Sequence, residues 1–411
     1  MGTATAGIER PAEAARRPWM PPDAVMLGVS MFCVVAATNI MTPLLPQIRD
    51  DLGVSITTAG LIVASFGLAR LLVDLPAGFL ASNIAPKVLT LAAVAALIVS
   101  SAIGIGAATV ETLILARVVS GIGVAILATV ILAALSALAT PANRGKVMSL
   151  YPMANNLGIA FYPILGGIIG VIIGWRATFA VNAVLAVVAG VLLLPMLGRI
   201  DLRRPKTGKA AETDDKRVLY GSRRTVALAV TNGGVVANMI HRHGVRNTIL
   251  PLYAATVLGL GGVSIAVAIA LMAITGFLVM APGGSLGDRV GRRRVISVGL
   301  FAIAIGDLLF LFTGELASFL LVAALIGCGD FFASSQTALL SEIVPAEQRT
   351  FVLSGYRFSS DLGALIGPIM LAFVMDTVGV QAAIIAASAI LLTAAIAARV
   401  GVPARIDLAV T

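Results

Sequence analysis

Charge is scarce in this chain. Asp, Glu, Lys and Arg make up 12% of the residues, about half the share of a soluble domain, too little to cover a water-facing surface. Histidine and cysteine are scarcer, two of each: His241, His243, Cys33 and Cys328. That excludes a disulfide framework and a Cys/His metal centre. Both thiols lie inside apolar runs and read as small packing residues. There is no Gly-rich phosphate loop ending in Gly-Lys-Ser/Thr and no His-Glu-x-x-His helix, which excludes ATP-driven and zinc-hydrolase chemistry. The chain reads as not an enzyme, without cofactor.

Apolar residues are abundant: 59% of the sequence is hydrophobic and the mean hydropathy is +1.01. A bilayer core about 30 Å thick takes roughly 20 apolar residues per helix. Runs of that length fall near 24–45, 57–81, 87–107, 112–139, 148–172, 177–198, 225–256, 263–285, 295–314, 317–340, 351–375 and 379–400. They are rich in Ala, Leu, Ile, Val and Gly and lack the alternation of a membrane β-barrel. The fold class expected is an all-α membrane protein of twelve transmembrane helices.

A net charge of +9 would suggest nucleic acid for a soluble protein, but here the basic residues follow the loops. With the N-terminus taken as cytoplasmic, the outer loops hold only Arg49 and Arg176, and the remaining loop Lys and Arg fall inside. That positive-inside bias places both termini in the cytoplasm. Residues 1–23 are expected to be a retained tail, since the apolar run after them is too long for a signal peptide and has no small-residue cleavage site. A second tail is expected at 401–411. The only long loop, 199–224, is polar and of mixed charge and reads as a linker between six-helix bundles at 24–198 and 225–400.

The two bundles repeat at an offset near 205 residues. Asn156-Leu157-Gly158 with Pro163-Ile164 matches Asp361-Leu362-Gly363 with Pro368-Ile369. Ser149 and Tyr151 match Ser354 and Tyr356, Leu45-Pro46 matches Leu250-Pro251, and Gly121 and Gly123 match Gly327 and Gly329. Six helices per repeat give both copies the same orientation, related by an axis along the membrane normal, with a cavity between them near the midplane.

The stretch Gly284-Ser285-Leu286-Gly287-Asp288-Arg289-Val290-Gly291-Arg292-Arg293-Arg294 resembles the cytoplasmic loop signature of the major facilitator superfamily, with Gly284, Asp288, Arg289, Gly291 and Arg292 at its key places. Its N-terminal counterpart has Ser82 and Asn83 where the family has Asp and Arg, which leaves Asp288 to carry the inward latch alone. Leu113 to Gly123, containing Arg117, resembles the proton-coupling motif of drug-exporting members, with Ser120 in place of Gln. Gly158, Pro163 and Gly167, repeated as Gly363, Gly367 and Pro368, resemble the antiporter helix-bend motif, with Tyr162 where Gly is usual. The resemblance covers all twelve spans. It implies that spans 1, 4, 7 and 10 line the cavity and that a twelve-helix drug:proton antiporter is the nearest kind.

Ionisable residues inside spans are costly, about 2.5–3.5 kcal/mol at a helix centre, and each needs a partner, a cavity or a function. Asp330, with Arg117 and Asp74, forms the candidate proton-coupling set; a static ion pair of Asp330 with Arg242 or Arg246 is the alternative. Asn238, Arg242 and Arg246 are spaced i, i+4, i+8 and would share one helix face; with Asn39 and His241 they form the expected cavity wall. Arg70 with Asp74, and Arg357 with Asp361, are i, i+4 pairs on helices that meet across the halves in the implied fold, either self-neutralising or joined in an inter-half network. Asp307, on a peripheral span, has no assigned role.

The function expected is proton-coupled efflux of a small amphipathic compound, by a monomer in a bacterial-type inner membrane, with the proton gradient as energy source. An importer of a small organic anion or sugar, and a receptor or scaffold without transport, are the competing classes. The preserved Asp288 loop and paired Gly-Pro helices speak against a scaffold.

Overall fold

The computed structural model describes residues 21–140, 143–197, 221–345 and 348–402, with side chains described except at 74–83, 144, 281, 333–334 and 349–351. The expected tails 1–23 and 401–411 and the linker 199–224 lie almost wholly outside these residues. Among the described residues there is no strand, and the helices follow one another with short turns. They are α1 (Pro22–Leu52), α2 (Ile56–Asn83), α3 (Pro86–Ile105), α4 (Val110–Leu138), α5 (Arg144–Ile172) and α6 (Ala177–Leu197), then α7 (221–256), α8 (Gly262–Val290), α9 (Arg292–Phe312), α10 (Leu316–Glu342), α11 (Arg349–Thr377) and α12 (Val380–Gly401).

Local chemistry sets the ends. Pro22 opens α1 and Asp23 sits in its first turn, where a missing N–H costs nothing and a carboxylate meets the helix dipole. Thr109 and Thr112 cap α4 reciprocally, as Glu315 and Ser318 cap α10, satisfying N–H groups that lipid could not. The α8–α9 turn passes through Gly291 at φ 96, a backbone shape that side chains avoid.

Eleven of these helices are long and apolar enough to cross a bilayer; α7 is the one that is not. It runs as an α-helix over Gly221–Met239, winds as a π-helix over Ile240–Ile249, and returns to α over Leu250–Thr256. The π segment holds His241, Arg242, His243 and Arg246, and those charges remove α7 from a count by hydropathy. Similarly, α10 tightens into a 3-10 turn at Asp330–Phe332, whereas its counterpart α4 is an unbroken α-helix.

Each half buries its own apolar core. In the first, Leu27, Val34, Leu97, Leu127, Ile131 and Leu193 pack together; in the second, Leu250, Ile269, Leu300, Phe319, Phe332 and Leu391 do. The halves meet along α2–α11 and α5–α8, while α3 with α6 and α9 with α12 flank the outside. Large apolar side chains such as Val171, Val191, Phe301 and Ile396 stay exposed on the perimeter, the arrangement expected where lipid is the solvent.

Candidate functional site

The loops α2–α3, α4–α5 and α8–α9, with Lys87, Lys146 and Arg289 to Arg294, project from one end of the bundle, here the basic face. Towards the opposite face the two halves are sealed. The Thr57 backbone N–H and hydroxyl donate to the Asp376 carboxylate at 3.3 and 2.7 Å. Gly60 lies against Pro368 and Ala372, Gly67 against Ala364, and Gly167 against Gly262 and Ala266. At Gly60 and Gly167 the approach is one that a side chain would prevent, and at Gly67 it leaves little room. Nearer the basic face, α4 and α5 make no extensive contact with α10 or α11 among the described residues.

Between these two ends lies a cavity of about 310 Å³, within the size range of small-molecule sites. Its polar lining is Thr38, Asn39, Arg70, Tyr151, Asn155, Arg242, His243, Arg246, Asn247, Tyr356, Ser360 and Asp361, and its apolar lining includes Met31, Val35, Val124, Ile159 and Met239. It continues towards the basic face into a space of about 130 Å³ bounded by Arg70, Thr129, Tyr151, Tyr356, Arg357 and Asp361. At its other end a small recess is bounded by Thr42, Phe66, Arg117, His243 and Asn247.

One face of α7 reaches the cavity: Met239, Arg242, His243, Arg246 and Asn247 line it, at the i, i+3, i+4, i+7, i+8 spacing of a single helix face. In the π segment the Leu250 N–H donates to the Val245 carbonyl, five residues back, as π geometry requires, and the Thr248 hydroxyl donates to the His243 carbonyl at 2.9 Å. The expectation of an i, i+4, i+8 face through Asn238 is corrected: Asn238 is buried but does not line the cavity. His241 is corrected too. It turns away, and its Nδ1 lies 2.9 Å from Asp307 Oδ2 on α9, a residue with 0% exposure. Asp307 therefore has a partner, and the histidine lining the cavity is His243.

The structure pairs Arg242 with Asp330, N to O 3.6 Å, and Arg70 with Asp361 at the same separation. The second pair crosses between the halves, from α2 to α11. Both separations exceed hydrogen-bond length, so the guanidinium and carboxylate attract without a direct bond. Asp330 sits in the 3-10 turn, 8% exposed, beside Gly276 of α8, which leaves room for its carboxylate. Arg357, exposed at the cavity's basic-face mouth, has no ion pair with Asp361 among the described residues. The side chain of Asp74 lies outside the described residues. Arg117, 4% exposed, donates to the Ala37 carbonyl at 2.8 Å and stacks 4.7 Å over the Phe66 ring, tying α4 to α1 and α2.

The loop signature folds inside one half. Arg292 makes a two-oxygen contact with Glu342, Nε to each oxygen at 3.0 Å, and its Nη2 meets Asp288 at 2.8 Å. Asp288 is thus joined to its own half, not to the other. Gly283 and Gly287 provide close approaches, to Phe331 and Ser335 of α10. In the helix-bend motifs, Gly158 lies against Val35 of α1, and Gly363 and Gly367 lie against α7 at Val236, Met239, Ile240 and Gly244. Pro163 and Pro368 sit within continuous helices. Sequence reasoning missed Tyr151, Asn155, Asn247 and Tyr356 as cavity residues. The repeat match of Tyr151 with Tyr356 was the available signal for two of them.

Comparison with known proteins agrees with this architecture. A family model, Major Facilitator Superfamily, matches residues 27–281 and 244–407. An uncharacterised MFS-type transporter of Methanocaldococcus jannaschii is 23% identical over 86% of this chain and 92% of its own length. A chloramphenicol resistance protein of Streptomyces lividans is 23% identical over 86% of this chain and 89% of its own. Among solved structures, a bacterial homolog of the human lysosomal transporter Spinster, in an inward-facing and unoccupied conformation, superposes with a TM-score of 0.77 at 16% identity, covering 96% of this chain and 98% of that one. The chain belongs to the major facilitator superfamily of membrane transporters.

Proposed function

We propose that this transporter exports small amphipathic compounds in exchange for protons by alternating access, with the basic face towards the cytoplasm. The reading is carried by one observation: a partly polar cavity between the halves that continues towards the basic face and stops at the α2–α11 and α5–α8 contacts on the other. Two-domain rocking about such a cavity is how parallel-repeat transporters exchange access. The resistance protein among the relatives supports the outward direction. Asp330 is the coupling group in this reading: a proton on its carboxylate cancels the attraction to Arg242 and loosens α10 from α7. Arg70–Asp361 spans the halves and breaks as they separate.

Purified protein in liposomes with an imposed pH gradient tests this. Export predicts proton movement coupled to substrate flux against the substrate gradient and its loss in Asp330→Asn. Unchanged coupling in that variant removes the assignment, and accumulation in the direction of proton flow makes the protein an importer.

A further inference from the structure

Two of the four arginines in the middle of the bundle are balanced and two are not. Arg242 meets Asp330 and Arg70 meets Asp361. Arg246 and Arg117 have no carboxylate within ion-pair distance among the described residues, although they are only 5% and 4% exposed. Arg117 spends its charge on a backbone carbonyl and an aromatic face, both adequate partners for a packing role. Arg246 has less: its Nε donates to Asn247 Oδ1 at a long 3.4 Å, its two Nη groups have no protein acceptor, and it lines the cavity. All four guanidinium groups lie within electrostatic reach of His243.

Uncompensated buried charge is among the most expensive features a membrane protein can carry. A guanidinium also offers a planar fork matched to two oxygens of an oxyanion. We propose that the transported compound is an amphipathic organic oxyanion, a carboxylate or phosphate ester. Its charged group docks on the Arg246 Nη fork beside Arg242, and its apolar body lies along Met31, Val35 and Ile159. This names the substrate class of the cavity and rests on the transporter reading. Asn247 holds Arg246 in place, and the shared lining by His243 and Asn247 puts Arg117 at the closed end of the same space.

The test is thermal unfolding of detergent-purified protein with four probes of one aromatic size: benzoate, phenyl phosphate, benzyl alcohol and benzyltrimethylammonium. The two anions raise the melting temperature saturably, because only ligands that bind the folded form do so, and added salt weakens the effect. Arg246→Gln loses the anion response by about tenfold or more in apparent affinity, the scale of one charge-assisted fork, and Arg246→Lys keeps part of it. Without ligand, Arg246→Gln melts at the same or a higher temperature, since it removes a buried charge that has no carboxylate in ion-pair contact; a residue with a merely structural role would lower it. A response to the cation but not the anions, no preference among the four, or an undiminished anion response in Arg246→Gln overturns the substrate class. If proton-driven flux of a neutral or cationic compound in liposomes accompanies such a result, the transporter reading stands and only the class falls. Anion binding without any gradient-driven flux overturns the transporter reading instead.

Discussion

The two halves share one plan, yet they keep it in some places and break it in others. At the repeat offset of 205–206, the seal between them is symmetric. Gly60 of α2 lies against Ala372 of α11, and their counterparts, Ala266 of α8 and Gly167 of α5, lie against each other. Each contact holds one Gly and one Ala, exchanged between halves. The cavity wall is not symmetric. His241, Arg242 and Arg246 of α7 correspond to Ala36, Ala37 and Met41 of α1, and Asp330 of α10 corresponds to Val124 of α4. Where those charges sit, α7 winds into a π segment and α10 into a 3-10 turn, whereas α1 tightens into a 3-10 turn at Thr42–Leu44 and α4 stays α-helical. Packing keeps the repeat, in the Gly–Ala contacts of the seal; chemistry breaks it, because the second half brings Arg242, His243, Arg246 and Asp361 to the cavity and the first brings one charge, Arg70, beside Thr38, Asn39, Tyr151 and Asn155.

The sharpest way to break the comparison is at a charge the first half lacks entirely. The His241–Asp307 pair lies fully inside the second half, where the first has Ala36 packed with Ile40 and Tyr162. His241→Ala leaves a wholly buried carboxylate without its partner, and removing one member of a buried pair costs about 3–5 kcal/mol. The double replacement by Leu recovers much of that loss, since two apolar groups need no solvation. Thermal unfolding in detergent reads both. A double variant as unstable as the single one would mean that the pair holds the π segment in a way apolar packing does not replace.

The seal predicts a smaller effect, and one that is conformational. Gly60→Val pushes a side chain into the Pro368 carbonyl and Ala372. Overpacking of this kind costs about 1–3 kcal/mol, and here it falls on the sealed state alone, so populations shift by roughly 5- to 150-fold. Labelling of Val54→Cys by a membrane-impermeant maleimide from the face opposite the basic loops rises accordingly. Gly145→Val, where the side chain would enter open space, leaves labelling unchanged. The symmetric seal predicts the same response from Gly167→Val, and a response from only one of the two would show that the halves do not share the load.

What could be read from the chain alone follows the same division. The spans, the repeat and the Gly-Pro helices depend on composition and spacing, which are local, so they stand in the sequence. Asn39, Arg242 and Arg246 could be placed on a cavity because a polar or charged side chain inside a membrane span needs a partner, a cavity or a function. His243 and Asn247 were missed because the row of polar residues through Asn238 marks one edge of the face, whereas Met239, Arg242, His243, Arg246 and Asn247 line the cavity at i, i+3, i+4, i+7, i+8. The packing around the π segment is tertiary. Gly367 of α11 lies against Ile240 and Gly244, whereas the repeat-related Tyr162 fills the corresponding space and stacks on Phe32 at 4.8 Å. The partner of Asp307, 66 residues away in sequence, has no local signal at all.

Arg70–Asp361 sharpens the comparison where the two halves touch through charge. Arg70 belongs to the first half and its counterpart is Gly276; Asp361 belongs to the second and its counterpart is Asn156, so the bridge exists once and has no symmetric twin. In a double-mutant cycle of Arg70→Gln and Asp361→Asn, transport rates should show a coupling of about 0.5–3 kcal/mol, the range for residues in contact. Additive effects would mean that the 3.6 Å approach contributes nothing to the working cycle.

The smallest effect belongs to Thr57. Its hydroxyl and N–H both donate to Asp376 at the exposed rim of the seal, and the repeat places Val263 opposite Val171 at the equivalent positions, so this contact too is polar on one side and apolar on the other. Thr57→Val removes only the hydroxyl bond, and at a solvent-exposed site water replaces much of what is lost, leaving about 0.5–1.5 kcal/mol. That is a roughly 2- to 10-fold change in the sealed population, detectable as faster labelling of a nearby Val54→Cys. Because the N–H bond survives in Thr57→Val, a change as large as that of Gly60→Val would show that the rim bond, and not the backbone approach beneath it, holds the halves together.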